Sequence, residues 1–394
     1  MALYAFDGTW SSAKTGDDPT NSNVVRFRDA YSKHSGTKDF YVAGVGTRFD
    51  AVGSVLGGAF GLGELPRLNE AYDHLCARWA EGDHIIDIVG FSRGAATTLD
   101  FCNIIQDRKI RKPQSDTVVE ANPQIRFLGV FDIVAAFGLA NLGATDLNIG
   151  HKLFLPKANL QYAFHAMALD ERRPSFLPTR LHGACEVWFR GVHSDIGGGN
   201  TNLGLNDITF GWMLRKALAA HLPIDPADIA ALKPQPSTRP LLPDFPKLDI
   251  RVVSSVDRVH YTVAPVQGCR SVPATCPIET TSDEAAAIEV GNNGIETLPA
   301  EFRNRVVVLG SVAEAQTRAL GFSFDDIREP MLDLIEGRII LVTNDQQLVQ
   351  AREAVIRLIT QVVANANKHQ FHRLNEFFIN EALFDLLPLY PFTD

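Results

Sequence analysis

The sequence predicts an α/β fold: a mostly parallel sheet with helices on both faces, followed by a C-terminal extension. Three observations lead there. Short, nearly continuous apolar runs recur, and such runs suit strands buried on both faces. Stretches of helical periodicity separate them in the first half of the chain. One run, Ile85 to Phe91, climbs into Gly90-Phe91-Ser92-Arg93-Gly94, a G-x-S-x-G pattern that marks a sharp strand-to-helix turn.

The elements follow in order. "LYAF" at 3–6 and "KDFYVAGVG" at 38–46 read as strands. "NSNVVRFRDAYSKH" between them reads as a helix with Asn21 or Ser22 as its cap. A second helix has Pro66 in its first turn and Gly82 at its end, with Leu65, Leu68, Tyr72, Leu75 and Trp79 along one face. After the strand at 85–91 a helix carries Ala96, Leu99, Cys102 and Ile105 at helical spacing. "QIRFLGVFD" at 124–132 and "GACEVWFRGVHSD" at 183–195 are further buried strands, and His165 in "YAFHAMALDERR" falls on a helix. Residues 223–246 hold seven of the 21 prolines, a density that forbids regular helix or central strand. Beyond them "RVVVLGS" and "IILVTND" read as strands and "QQLVQAREAVIRLITQVVANANKH" as an amphipathic helix. The division that follows is a catalytic core over 1–222, a linker or wrapping segment over 223–246, and a mixed α/β region over 247–394 at least partly packed on the core.

Composition narrows the function. A net charge of −9 over 394 residues disfavours nucleic acid as a partner. No run of 18 uncharged apolar residues suits a membrane span. "MALYAFDGTW" lacks a basic and then long apolar leader, so synthesis in the cytoplasm without a signal peptide is expected. The five cysteines are an odd number, which argues against a disulfide scaffold; Cys269 and Cys276 would pair only in an oxidising compartment. No C-x-x-C pair and no H-E-x-x-H occurs, so no dedicated metal site is expected.

The chemistry centres on Ser92. A serine hydroxyl needs a histidine to take its proton and a carboxylate to orient that histidine. Asp132 and His193 each follow a predicted strand, at the edge where ligands gather in parallel sheets, and the chain order serine, acid, histidine suits a hydrolase. His165 and His260 are the competing bases, and Asp195 is the competing acid. Asp195 lies two residues from His193, which suits it to fixing the loop through hydrogen bonds. The N–H of Arg93, at the start of the helix, is a candidate oxyanion donor. The turn Asp7-Gly8-Thr9 offers a second through Gly8 or Thr9, or is a plain turn with Asp7 bonding its own loop.

"FDGTW", "GFSRGA", "FDIV", "HAMALDERRPSF" and "VWFRGVHSDIGGG", in this order, resemble the type VI secretion lipase effectors and their wider family of α/β-hydrolases over roughly residues 1–265. The family's triad falls on Ser92, Asp132 and His193; Ile133 stands where members often have threonine. The resemblance implies an α/β-hydrolase-like fold and a cofactor-free serine esterase, with phospholipase A activity on bacterial glycerophospholipids. It also implies contact with a membrane surface, export by type VI secretion into a target periplasm, and secretion-machinery and immunity-protein partners. An esterase for a small soluble ester and a catalytically silent adaptor are the alternatives. The uncharged stretches at 51–63 and 133–144 would be flaps over the site or would pack on the body, and "HRLNEFFINEALFDLLPLYPF" near the end would lie in a lipid interface or be buried in the protein.

Overall fold

The computed structural model describes residues 1–8, 18–36, 39–44, 59–134, 154–156, 158–173, 176, 178–181, 183–236, 251, 253–263, 271–290, 300–325, 328, 331–332, 335, 342 and 344–365. A single sheet of eight strands organises them: β1 (Ala2–Phe6), β2 (Phe40–Val42), β3 (Ile86–Phe91), β6 (Ile125–Phe131), β7 (Leu160–Ala168), β8 (Cys185–Phe189), β9 (Arg258–His260) and β10 (Ile278–Glu279). Their spatial order is β2-β1-β3-β6-β7-β8-β9-β10. Every pairing in it is parallel. A two-stranded antiparallel ribbon, β4 (Ile110–Arg111) with β5 (Val118–Glu120), stands apart.

Both faces of the sheet are covered, which is why its strands lack polar alternation. On one face Tyr4 and Phe6 of β1 pack with Leu68 and Leu75 of α2 (Ala59–Ala80) and with Leu99 and Cys102 of α3 (Ser92–Arg108). On the other, Leu3 and Ala5 pack with Val24 and Phe27 of α1 (Asn23–Ser35) and with Trp212 and Met213 of α5 (Leu203–Ala219). Alternate residues of one strand thus feed two cores. Ser22 caps α1 by accepting from Val25 N, and Gly36 closes it at φ +64°.

Several elements differ from the sequence reading. Pro66 lies inside α2, as its eighth residue, not in its first turn. A proline's usual place marks a helix start, but the turns before it are helical too and the helix tolerates one missing N–H donor. His165 lies on β7, not on a helix. Burial of that strand on both faces removes the alternation that would have marked it. "RVVVLGS" lies within α8 (Ala300–Ala319), where Leu309, Ala313 and Thr317 are buried at a four-residue interval and Val307 is exposed. Three successive valines mimic a strand, but the segment is helical and packs alongside α9 (Asp345–Asn365). The proline-rich segment contains a short helix, α6 (Pro226–Ala230), with Asp225 as cap and proline in the first turn, where no N–H is missed. Most of the strand expected at "IILVTND", most of both uncharged stretches, the apolar segment near the end and Cys269 lie outside the described residues, and Asp345 of the first already belongs to α9.

The sheet continues past the proline-rich segment. β9 pairs with β8, and β10 with β9. Two ion pairs tie the same region inward: Arg180 to Asp257 at 2.6 Å and Arg251 to Asp132, all four side chains nearly or fully buried. Cys76, Cys102, Cys185 and Cys276 are free thiols and buried. Among the described residues no helix is long and apolar enough to cross a membrane.

Candidate active site

β3 delivers Ser92 to the carboxyl edge of the sheet and α3 begins on it. The turn is tight enough to force Ser92 to φ +58°, a region that a side chain occupies only under constraint. The flanking glycines make this packing possible. A Cβ on Gly90 would lie 2.6 Å from Thr98 Cγ2, and one on Gly94 would lie 2.4 Å from the carbonyl oxygens of both Phe6 and Asp7. The start of α3 therefore presses against the end of β1, and the positive end of the helix dipole faces the serine region. Arg93 is the second residue of α3.

Asp132 follows β6 at φ +40° and is fully buried. His193 opens the short helix α4 (His193–Gly197), four residues after β8 ends. The three residues form one line. His193 Nε2 lies 2.8 Å from Ser92 Oγ, and His193 Nδ1 lies 2.6 Å from Asp132 Oδ2. With Asp132 ionised, Nδ1–H donates to it and Nε2 accepts from the serine hydroxyl. Side chains 101 and 61 residues from His193 in sequence thus meet it at one edge.

The environment sets the charges. Complete burial works to raise the Asp132 pKa, but the Arg251 charge and the His193 hydrogen bond outweigh it and hold the carboxyl well below the usual carboxylate range. Burial lowers the His193 pKa; Asp132 opposes that shift and Arg251 adds to it. Burial and the Arg251 charge thus both favour the neutral imidazole.

Two aromatic rings pack against the imidazole. Phe91 packs against it with ring centroids 4.7 Å apart, and Phe176 meets it edge-on at 4.8 Å. The His193 backbone N–H donates to Glu171 Oε2 at 3.1 Å. Burial works against the Glu171 charge, but Arg173 overcomes this and brings its pKa down to about 2. Phe91 itself sits between two glycines. A Cβ on Gly8 would lie 2.8 Å from the ring, and one on Gly197 only 1.9 Å from it.

The supporting residues are also placed. Asp195 accepts from Val192 N at 2.9 Å, Asn200 Nδ2 at 2.8 Å and Asn202 Nδ2 at 3.1 Å, so it ties the His193 loop to the segment after it. Asp7 is buried and accepts from Ser22 Oγ, Tyr41 OH and Gly8 N at 2.7–2.8 Å. Burial raises the pKa of both carboxyls against these hydrogen bonds. Gly8 lies against the serine, since a Cβ there would be 3.3 Å from Ser92 Cβ, yet its N–H is turned to Asp7 Oδ1. Thr9 lies outside the described residues.

His165 and His260 are both remote from Ser92 in bonding. His165 Nε2 accepts from Ile133 N at 3.2 Å and its Nδ1 lies 2.9 Å from Glu186, so it braces the Asp132 turn from behind. His260 is bound between Thr262 and Glu284. Among the described residues no group of three or more histidine, cysteine or carboxylate side chains could hold a metal ion.

Sequence reasoning missed Arg251, Glu171 and Phe176. Arg251 is the one charge within "IRVVSSV", an uncommon place for an unpaired arginine, and that was its only signal. Glu171 lies in the quoted "LDERR" stretch, but nothing in its spacing links it to His193.

A family model, T6SS, Phospholipase effector Tle1-like, catalytic domain, matches residues 3–110 and 101–216. No curated protein matches the sequence. The crystal structure of an uncharacterized protein from Pseudomonas aeruginosa is similar at 18% identity and a TM-score of 0.42, covering 95% of this chain. This chain spans 63% of that structure's chain.

Proposed function

The chain belongs to the family of type VI secretion phospholipase effectors with the Tle1-like catalytic domain, and from that membership we propose that it is a serine-dependent carboxylic-ester hydrolase. Its substrates are bacterial glycerophospholipids, cleaved in phospholipase A fashion, and it acts as a secreted antibacterial effector. The observation that carries this reading is the unbroken hydrogen-bonded line from Ser92 through His193 to Asp132.

In the mechanism Ser92 Oγ attacks the acyl carbonyl carbon while His193 Nε2 takes the hydroxyl proton. The Asp132 carboxylate stabilises the imidazolium that forms and keeps Nδ1 protonated throughout. The N–H of Arg93 supports the oxyanion of the tetrahedral intermediate. The Asp7–Thr9 loop supplies the second donor; if this is Gly8, its N–H must first leave the Asp7 carboxylate. His193 then gives its proton to the departing alcohol, leaving an acyl-serine. Water, deprotonated by His193, attacks the acyl-serine; His193 returns that proton to Ser92 Oγ as the fatty acid leaves.

The test is mass spectrometry of the products formed from a mixed bacterial phospholipid extract, with the Ser92→Ala protein as control. Lysophospholipid and free fatty acid should appear with the wild type alone. A folded Ser92→Ala protein that releases them within tenfold of the wild-type rate would remove the serine from the reaction.

A further inference from the structure

Arg251 makes a two-pronged contact with the carboxylate that orients the histidine. Its Nη1 donates to Asp132 Oδ1 at 2.5 Å and its Nη2 to Asp132 Oδ2 at 2.9 Å. Each nitrogen has a second acceptor: the carbonyl of Ala168 at 2.9 Å for Nη1, and that of Phe176 at 2.7 Å for Nη2. The guanidinium therefore joins the ends of β6 and β7 to the turn whose Phe176 ring lies against His193. Arg251 and Asp132 are both fully buried. Asp132 Oδ1 also accepts from Ala168 N at 2.8 Å, so Oδ2 alone faces the imidazole.

A Ser–His–Asp system does not require a second cation on its carboxylate. An arginine there has two separable consequences. Its planar fork fixes the carboxylate plane, and with it the tautomer and direction of the imidazole. Its charge also competes with the imidazolium for the same anion, which makes His193 harder to protonate. We infer that Arg251, supplied from beyond the proline-rich segment, is a positioning residue of the hydrolytic centre that clamps Asp132 and sets the basicity of His193. This rests on the serine-hydrolase reading above.

The other charged groups around the imidazole do not duplicate this role. Glu171, from the turn after β7, accepts from the His193 backbone and is itself held by Arg173. Asp195, on α4, points its hydrogen bonds at Val192, Asn200 and Asn202. Asp170 pairs with Arg190 at 2.6 Å. Among the described residues, only Arg251 places a cation on Asp132. The lowered pKa of His193, to which burial contributes most and Arg251 adds, agrees with that arrangement.

The experiment compares wild type, Arg251→Met and Arg251→Lys on a monomeric short-chain ester across pH. Removing the charge in Arg251→Met should lower kcat by about ten- to a hundredfold through loss of orientation, with KM nearly unchanged. It should also move the acidic limb of kcat/KM upward by about one pH unit, because the imidazolium no longer meets an opposing cation. A purely structural side chain would not move that limb. Arg251→Lys keeps a cation but not the fork: the limb should stay near wild type while kcat still falls.

A folded Arg251→Met protein with kcat within twofold of wild type and an unmoved limb would overturn the inference. If Arg251→Met does not fold, Arg251→Lys decides: a lowered kcat supports the inference and an unchanged kcat overturns it. The His193 imidazole is also titrated by NMR in Ser92→Ala protein with and without Arg251→Met. That readout needs no ester hydrolysis: an upward shift sustains the charge coupling even if Ser92 proves not to be the nucleophile, and no shift removes it even if Ser92 is.

Discussion

Replacing Gly197 with alanine tests how closely the histidine is held. Gly197 ends α4 and is not among the residues at positive φ, so its backbone accepts alanine without strain. The obstacle is the Phe91 ring. The new Cβ would lie 1.9 Å from Phe91 Cε2, 2.2 Å from Cδ2 and 2.3 Å from Cζ, whereas ordinary contact begins at 3.4 Å. The ring or the helix must therefore give way by about 1.5 Å. The ring cannot retreat freely, because Gly8 already contacts it from elsewhere and the His193 imidazole lies tilted against it at 4.7 Å. Forced overpacking of this kind costs about 1–3 kcal/mol of stability. A comparable displacement passed to His193 should lower kcat by roughly ten- to a hundredfold. Urea denaturation gives the first quantity and initial rates on a soluble ester the second. Phe91→Leu removes the clashing ring atoms, so Gly197→Ala combined with Phe91→Leu should recover part of the loss, with a coupling of about 0.5–3 kcal/mol. A Gly197→Ala protein within about 0.5 kcal/mol of wild type, a range usual for uncritical sites, and with kcat within twofold would show that the ring does not constrain the base.

Three further outcomes follow from the same geometry. Asp132→Asn should lower kcat by about 10⁴-fold, because the wrong imidazole tautomer is favoured; it should also destabilise the protein by roughly 3–5 kcal/mol by leaving Arg251 buried without its counter-charge, and a denaturation midpoint equal to wild type would contradict that. His165→Ala should cost about 1–3 kcal/mol of stability by orphaning the buried Ile133 N–H, yet leave kcat within tenfold, so a collapse of activity in folded protein would point to His165 in place of His193. Stability should fall on acidification in two stages. Between the lowered His193 pKa and the unfolded value of about 6.5 the unfolded chain binds more protons, so stability rises with pH in that window. Below about pH 4.5 the depressed Asp132, Glu171 and Glu186 carboxyls add the same sign, and the two raised carboxyls, Asp7 and Asp195, oppose them. A denaturation midpoint independent of pH from 3 to 7 would contradict both stages.

The strand-turn-helix at Ser92 was legible because its glycines, apolar run and small residues act within a dozen positions. The ends of β6 and β8 were legible for the same reason, and this brought Asp132 and His193 into view. What the sequence hid depends on distant partners. Arg251 acquires meaning only in the fold, where it meets a carboxylate 119 residues before it. β7 and α8 were misread because burial on two faces, or a partner on one, decides how an apolar run folds, and neither is encoded locally. The Gly8 N–H could not be placed because a turn with an aspartate allows both outcomes.

The clasp on Asp132 has a temporal side. Arg251 lies 119 residues further along the chain. At about 5–20 residues per second of synthesis, the carboxylate waits on the order of ten seconds for its counter-charge. Until then the growing polypeptide has the serine and the histidine but not the guanidinium that steadies the acid. A ribosome stalled short of that arginine would hold a chain in which Asp132 still lacks its cation.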